Sequence, residues 1–519
     1  MNKKFVFLIL IPITVLTIGL FWMLAQKDNV KIENYSSIPN PPKIKPDYTD
    51  TIIPPNIAPL NFVINESGSA YAVTIRSANG EPIVISGRKN KIIIPARKWK
   101  ALLNANRAQK LYFDIYVKDQ NNQWNRYESI VNKIADEEID PYIVYRLMKP
   151  IYNWWHSIGI VQRNLTNYRE STVLKGESFN NGCLNCHTFL NNTTQKMTLG
   201  IRSSKYGSSV ILADDEKAEK IDTKFGYTAW HPTGKMVLYS INRVIQFFHT
   251  HRAEVRDVMD LDSALAYYIV DSKKVTTNAA FTDKERLETY PTWSPDGRYL
   301  YFCSAPILWE KQEQGSIKLP KRYKEVKYDL MRISYNIETD TWGDLETVLA
   351  ADQTGLSIVL PRISPDGRFL LFCMCDYGCF PIYEKSSDLY MMDLQTGKYS
   401  RLDVNTQWSE SWHSFSSNSR WIAFSSKKYG GLFTRSFISY VDKTGKVHKQ
   451  FVMPQKDPTF YDSCLKTYSV PELIKEPVRV SQRQLAHAVR SNEKIEVGFP
   501  LTGATMIATE PWQQGQVRE

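Results

Sequence analysis

Along most of the chain, apolar and polar residues alternate in short runs separated by turn residues, the two-residue period of half-buried strands. Between Leu60 and Val131 the runs are Asn61-Phe-Val-Ile, Ala70-Tyr-Ala-Val-Thr-Ile, Lys91-Ile-Ile-Ile and Lys110-Leu-Tyr-Phe-Asp-Ile-Tyr-Val. Asn79-Gly80 marks a turn between them, and Trp99 to Asn106 predicts one short helix. The pattern predicts a small β-sandwich-like domain over 60–135. From Asp140 to Leu165 the spacing of Tyr142, Val144, Tyr145, Leu147 and Met148 predicts two helical pieces kinked at Pro150. A helical connector is therefore expected over 136–206. Trp154, Trp155 and His156 lie in it, as aromatic core or as a cover for a cofactor.

The second half repeats. Four turns align: Trp230-His-Pro-Thr-Gly234, Trp293-Ser-Pro-Asp-Gly297, Ile363-Ser-Pro-Asp-Gly367 and Phe415-Ser-Ser-Asn-Ser419. Each is followed by a basic residue (Lys235, Arg298, Arg368, Arg420) and then by an aromatic (Tyr239, Phe302, Phe372, Phe424). Pro fixes φ and Gly permits positive φ, so strand, tight turn and strand follow. Later hairpins such as Asp388-Leu-Tyr-Met-Met-Asp-Leu-Gln-Thr-Gly397 complete four strands per unit, which predicts propeller blades over 207–478. Ser208 to Ile221 reads as the outer hairpin of a blade, with no Pro-Asp-Gly turn before it. An unpaired edge there would be costly, so closure should borrow strands from beyond Met453 or from the segment before the repeats, giving about six blades.

The fold class expected is thus mainly β. The repeats resemble the TolB-like propeller family built from WD40-like PD40 units, whose signature is the Trp-Ser-Pro-Asp-Gly turn. From Leu60 to about Val478 the chain also resembles PD40 proteins that carry a sandwich-like front domain and one Cys-x-x-Cys-His motif. Gly182-Cys-Leu-Asn-Cys-His-Thr-Phe189, Ser414-Phe-Ser-Ser-Asn-Ser-Arg-Trp421 and Pro454-Gln-Lys-Asp-Pro-Thr-Phe-Tyr461 carry that resemblance. It implies the label of a cytochrome c biogenesis or translocation protein, a label that a fold alone does not justify.

At the amino terminus, Lys3 and Lys4 precede Phe5 to Leu24, an uncharged run about 30 Å long as a helix. No small-x-small cleavage site follows it, so 1–26 is expected to be a single-pass inner-membrane anchor with the folded part in the periplasm. Residues 27–59, with Pro41-Pro42 and Pro54-Pro55, are expected to be an extended tether, and 479–519 a loose polar tail. The net charge of +11 is spread without a basic block, so nucleic acid is not an expected partner. A membrane surface or an acidic redox partner suits it equally.

Cys183-Leu-Asn-Cys186-His187 carries the chemistry. Two thiols three positions apart can bond the two vinyl groups of one haem, and the next residue presents imidazole to iron. One covalent haem c is therefore expected, with His187 as proximal ligand. A thioredoxin-like dithiol would want a strand before the motif and a helix after it, whereas Asn180-Asn181-Gly182 marks a loop entry. A structural zinc site would need a second ligand pair, for which the only cluster is Cys373, Cys375 and Cys379. Met197 is the first candidate for the distal iron ligand, and His249 and His251 are the alternatives. Cys303 and Cys373 read as packing residues, Cys375, Cys379 and Cys464 leave a disulfide open, and His231 reads as a turn residue. No hydrolase elbow, zinc-protease helix or phosphate loop is present. Periplasmic electron transfer or redox sensing, with the propeller as docking face for a membrane or envelope partner, is the leading expectation. An envelope scaffold with structural haem and a haem enzyme with an open iron position are the alternatives.

Overall fold

The computed structural model describes residues 32–149, 157–249, 256–310, 319–497 and the backbone of 516–518. The anchor expected at Phe5 to Leu24 lies outside the described residues, as do Trp154, Trp155, His156 and His251. Among the described residues no helix is long and apolar enough to cross a membrane.

Six antiparallel blades of four strands form a closed ring, a β-propeller, and a fifth strand, Gln516–Arg518, adds in parallel to the third blade. Blade 1 contains Tyr142–Met148, Gly159–Asn164 and Glu170–Lys175. Its innermost strand, Thr467–Ile474, comes from the far end of the chain and pairs with Tyr142–Met148. Blade 2 runs Cys183–Phe189, Lys196–Ser203, Gly207–Asp214 and Lys217–Ile221. Blades 3 to 6 start at the innermost strands Thr228–Trp230, Arg286–Trp293, Ser357–Ile363 and Glu410–Phe415. The outer hairpin Ser208 to Ile221 is therefore completed by the segment before the repeats, and strands from beyond Met453 close blade 1. Closure removes both edges that an open sheet would leave unpaired.

In the stretch expected as helices between 140 and 165, the described residues form the strands Tyr142–Met148 and Gly159–Asn164. Tyr142–Met148 is built from β-branched and aromatic residues that are buried on both faces: Ile143, Tyr145 and Leu147 join the main core, and Val144 joins the core between blades 1 and 2. A strand covered on both faces loses the polar alternation that would identify it, and a short apolar run then reads as helix. The connector expected over 136–206 is in fact blade 1 and half of blade 2, so the ring begins at residue 142.

The front domain has a seven-stranded and a three-stranded sheet with one helix, Ala96–Asn104. Trp99 of that helix stacks on Phe113 and donates Nε1 to the Ile57 carbonyl at 3.0 Å. The Pro-rich stretch expected as a tether is part of this domain. Ser36–Ile38 pairs with Trp124–Tyr127, Ile52–Ile53 pairs with Ile130–Ile134, and Tyr48, Ile53 and Ile57 are buried. Its prolines space short strands that pair in parallel with distant partners, which composition alone cannot show. The domain docks on blade 6, where the Asp140 carboxylate accepts from the Ser417 amide and hydroxyl, both at 2.7 Å. The Trp421 indole donates to the Glu137 carbonyl at 3.2 Å.

The described part of the tail, up to 497, is folded onto the propeller. Ser481 and Gln484 form a reciprocal capping box at the start of helix Gln482–Arg490, whose Leu485 and Val489 are buried against blade 2. Ile495 then bonds back to Lys220 on the outer edge of that blade.

Candidate functional site

The Cys-x-x-Cys-His motif forms the innermost strand of blade 2, at the axis of the ring. Gly182 leads into it, and a Cβ there would sit 2.1 Å from the Phe179 ring, so only glycine lets the chain enter so closely. Pairing with Lys196–Ser203 shifts register between Asn185 and His187, which leaves Cys186 as the extra residue of a β-bulge. The innermost strands of blades 4, 5 and 6 shift at the same place, with Tyr290, Leu360 and Trp412 at positive φ. The motif thus occupies the bulge that the fold uses to turn side chains toward the axis.

Cys183 is buried and lines the larger of two adjoining axial cavities, of about 170 Å³. Burial pushes its thiol pKa up, while the charges of Arg202 and Arg146 pull it down. The Arg146 guanidinium also donates to the Asn185 side chain, inside the motif, and to the Ser469 hydroxyl at 3.2 Å. His187 lines a smaller adjoining cavity. It is 1% exposed, and its ring nitrogens make no well-aligned hydrogen bond, although the Val144 and Val470 carbonyls lie near enough to hold its pKa up. Burial, with the Arg146 charge second, pushes its pKa down to about 3, so the imidazole is neutral. The two cavities share Tyr227, Trp412 and Val470 as a common wall.

The residues implied for a haem c fit it in donor chemistry: a neutral imidazole without a well-aligned hydrogen bond and a cysteine opening on an apolar cavity edged by cations. Cys183 and His187 nevertheless face opposite sides of the Tyr227, Trp412 and Val470 wall. One macrocycle can be bonded to both only if that wall opens. A straight strand would also hold their Cα atoms about 13 Å apart, and the bulge at Cys186 shortens that span.

The structure does not bring the first distal candidate to this place. Met197 pairs with Phe189 across the hairpin and is fully buried in the core between blades 1 and 2, lining neither cavity. His249 is engaged elsewhere, its Nε2 3.1 Å from the Asp257 carboxylate on the long hairpin of blade 3. The thioether on the larger cavity belongs to Met148 of blade 1, which sequence distance from the motif concealed. His231 is a turn residue whose ring bridges the turns of blades 3 and 4, donating Nε2 to the Gly297 carbonyl at 3.1 Å. Cys303, Cys373, Cys375 and Cys379 are buried free thiols, and Cys464 is a half-buried one. Among the described residues no group of three or more His, Cys, Asp or Glu side chains is placed to hold a metal ion.

No family model matches the chain, and no curated protein matches it. Solved structures do. TolB from Acinetobacter baumannii is similar at 13% identity over 73% of this chain and 85% of its own, with a TM-score of 0.39. An oligogalacturonate lyase in complex with manganese is similar at 13% identity over 75% and 98%, with a TM-score of 0.31. The apocarotenoid oxygenase of Synechocystis is similar at 10% identity over 82% and 95%, with a TM-score of 0.35. The assignment of the propeller rests on its own six sheets: the chain is a mainly β protein with a six-bladed β-propeller behind a two-sheet front domain.

Proposed function

We propose that this protein is a monohaem c-type cytochrome of the propeller type, anchored in the inner membrane with its folded part in the periplasm. It would serve electron transfer or redox sensing toward a membrane or envelope partner. The observation that carries the reading is His187, a buried, neutral imidazole on the axis whose ring nitrogens make no well-aligned hydrogen bond, one residue after the second thiol of the motif. A buried polar side chain left without partners is rare in a folded protein and marks a place where something else completes it.

In this reading Cys183 and Cys186 hold the group covalently and His187 ligates its iron, which supplies one-electron chemistry. The chain's own contribution is electrostatic and steric. Arg146 holds Asn185 and so fixes the strand between the two cysteines. Its charge, near both Cys183 and His187, disfavours further positive charge at the axis and biases the site toward the reduced state.

A reduced-minus-oxidised absorption spectrum of protein made in a haem-maturation-competent host tests this. The reading predicts a low-spin c-type spectrum that vanishes in His187→Ala. A redox-silent spectrum would leave the propeller as an envelope scaffold. A high-spin spectrum that shifts on adding carbon monoxide or cyanide would favour an enzyme with an open iron position.

A further inference from the structure

Two loops from separate parts of the chain meet at one end of the ring. Loop 427–434 joins the strands Trp421–Ser426 and Arg435–Tyr440 of blade 6, so it lies at the opposite end from the turn 415–419. Segment 464–466 enters the closing strand Thr467–Ile474. That strand starts beside Met148 on the wall of the larger axial cavity, and its Leu473 reaches the end where the turns lie. Both loops therefore stand at the end onto which the larger cavity opens. Arg435, 3% exposed, ties them together by donating to the Cys464 carbonyl at 2.7 Å and to the Lys466 carbonyl. These two carbonyls flank Leu465, so a buried cation fixes a loop that carries its apolar side chain outward. Leu465 is 69% exposed and Leu432, on the neighbouring loop, is 55% exposed, the two highest values for large apolar side chains among the described residues.

Aromatic and basic side chains surround the two leucines. Trp408 packs so closely on Gly431 that a Cβ there would sit 2.5 Å from its ring, and the exposed Lys385 ammonium lies 4.9 Å from the centre of that ring. Tyr429 packs on Phe437, and Lys428 lies over the same ring. Lys466 is exposed beside Leu465, while the carboxylate of Asp462 is taken by Lys45 at 2.6 Å. The patch runs on to the cavity mouth, because Lys427 lies 5.7 Å from the ring of Tyr383, which lines the cavity. Arg146, Arg202, Lys224 and Arg256 also line that cavity and no carboxylate does, which adds positive potential at the same end. Outward leucines, half-buried aromatic rings and lysines whose stems lie along them suit the headgroup layer of an anionic bilayer. A protein partner is less suited, because the centres of protein interfaces are depleted of lysine. We propose that this end of the propeller docks on an anionic lipid surface, with Leu432 and Leu465 entering the headgroup layer and the larger axial cavity opening toward the membrane. The inference does not rest on the haem reading.

The test places the photo-crosslinker p-benzoylphenylalanine in the full chain at Leu432 or at Leu465. The control position is Arg298, exposed in a turn at the opposite end. All three side chains face solvent, so the fold is not at stake. Each protein is irradiated with nanodiscs of phosphatidylcholine, with and without phosphatidylglycerol, and the intact mass reads the addition of one phospholipid. With phosphatidylglycerol, the adduct at both leucines should exceed that at Arg298 by about 10-fold. The excess should shrink in phosphatidylcholine alone and in Lys385→Glu combined with Lys466→Glu. Equal yields at the leucines and at Arg298, or yields indifferent to phosphatidylglycerol, overturn the docking on anionic lipid. Irradiation in native membranes that gives a protein adduct and no lipid adduct also overturns it and assigns the surface to a protein partner.

Discussion

His187 and His413 occupy the same position in two blades, each just after the bulge of its innermost strand and two residues before a phenylalanine. His413 donates Nε2 to the Leu371 carbonyl of blade 5 at 3.1 Å, and neither nitrogen of His187 makes a well-aligned hydrogen bond. Both are buried and both have pKa values pushed down to about 3. His413 shows what a structural histidine does at this position, and His187 differs by the missing bond. His413→Ala should lower stability by about 1 kcal/mol more than His187→Ala in haem-free protein, because the His413 bond is the well-aligned one of the two. Urea denaturation of the two variants measures the difference; equal losses would mean that His187 too is a packing residue.

Much of the fold was legible in the repeats, because the Pro-Asp-Gly turns of blades 4 and 5 state their backbone conformation chemically. Blade 2 was not. Its corresponding turn is Leu190-Asn-Asn-Thr193, in which Asn191 and Asn192 take positive φ in place of a glycine. Asparagine tolerates that region, so the turn forms without the signature. Blade 1 was hidden for another reason: its innermost strand is supplied from more than 300 residues away, which no local period encodes. The motif itself was plain, yet its neighbours Arg146 and Met148 on one strand and Arg256 on another could be found only by folding the chain.

Met197 and Met148 separate under substitution. Met197→Ala empties a fully buried core site and should cost about 2–5 kcal/mol without changing the axial ligation of a bound haem. Met148→Leu keeps the apolar volume and should cost less than about 1.5 kcal/mol. If a thioether completes the iron, Met148→Leu is the variant that loses the sulfur-to-iron charge-transfer band and lowers the potential. Loss of the band in Met197→Ala with retention in Met148→Leu would restore the first assignment.

Asp260 is fully buried on the long strand Arg256–Ile269 of blade 3, where Asn242 donates to it at 3.0 Å, and burial pushes its pKa up to about 7. In the unfolded chain this carboxyl ionises near pH 4. Between those values the folded state holds a proton that the unfolded state has released. The group's contribution to stability is therefore full below about pH 4, declines as pH rises, and is lost above about 7, by up to about 4 kcal/mol. Asp260→Asn should stabilise the protein at pH 8 and remove that slope. Denaturation midpoints at pH 5 and pH 8 would show it, and an unchanged slope in the variant would mean that Asp260 is ionised in the fold.

Ring closure depends on a late strand. Tyr468 of Thr467–Ile474 is buried and packs on Tyr145 of blade 1, with ring centroids 5.0 Å apart. Tyr468→Ala should cost about 3–5 kcal/mol, the range for removing a buried aromatic. A chain ending at Met453 should lose cooperative unfolding altogether, because blade 1 would have no innermost strand. A sharp thermal transition in that truncated chain would contradict the closure.

The central claim is that Cys183 and Cys186 carry one haem. The intact mass of the full chain, purified under denaturing conditions from a haem-maturation-competent host, tests it directly. The account predicts a mass increased by one haem that survives acid-acetone extraction and disappears when Cys183 and Cys186 are replaced by serine. A chain of unmodified mass, with both thiols free to alkylation, would contradict it.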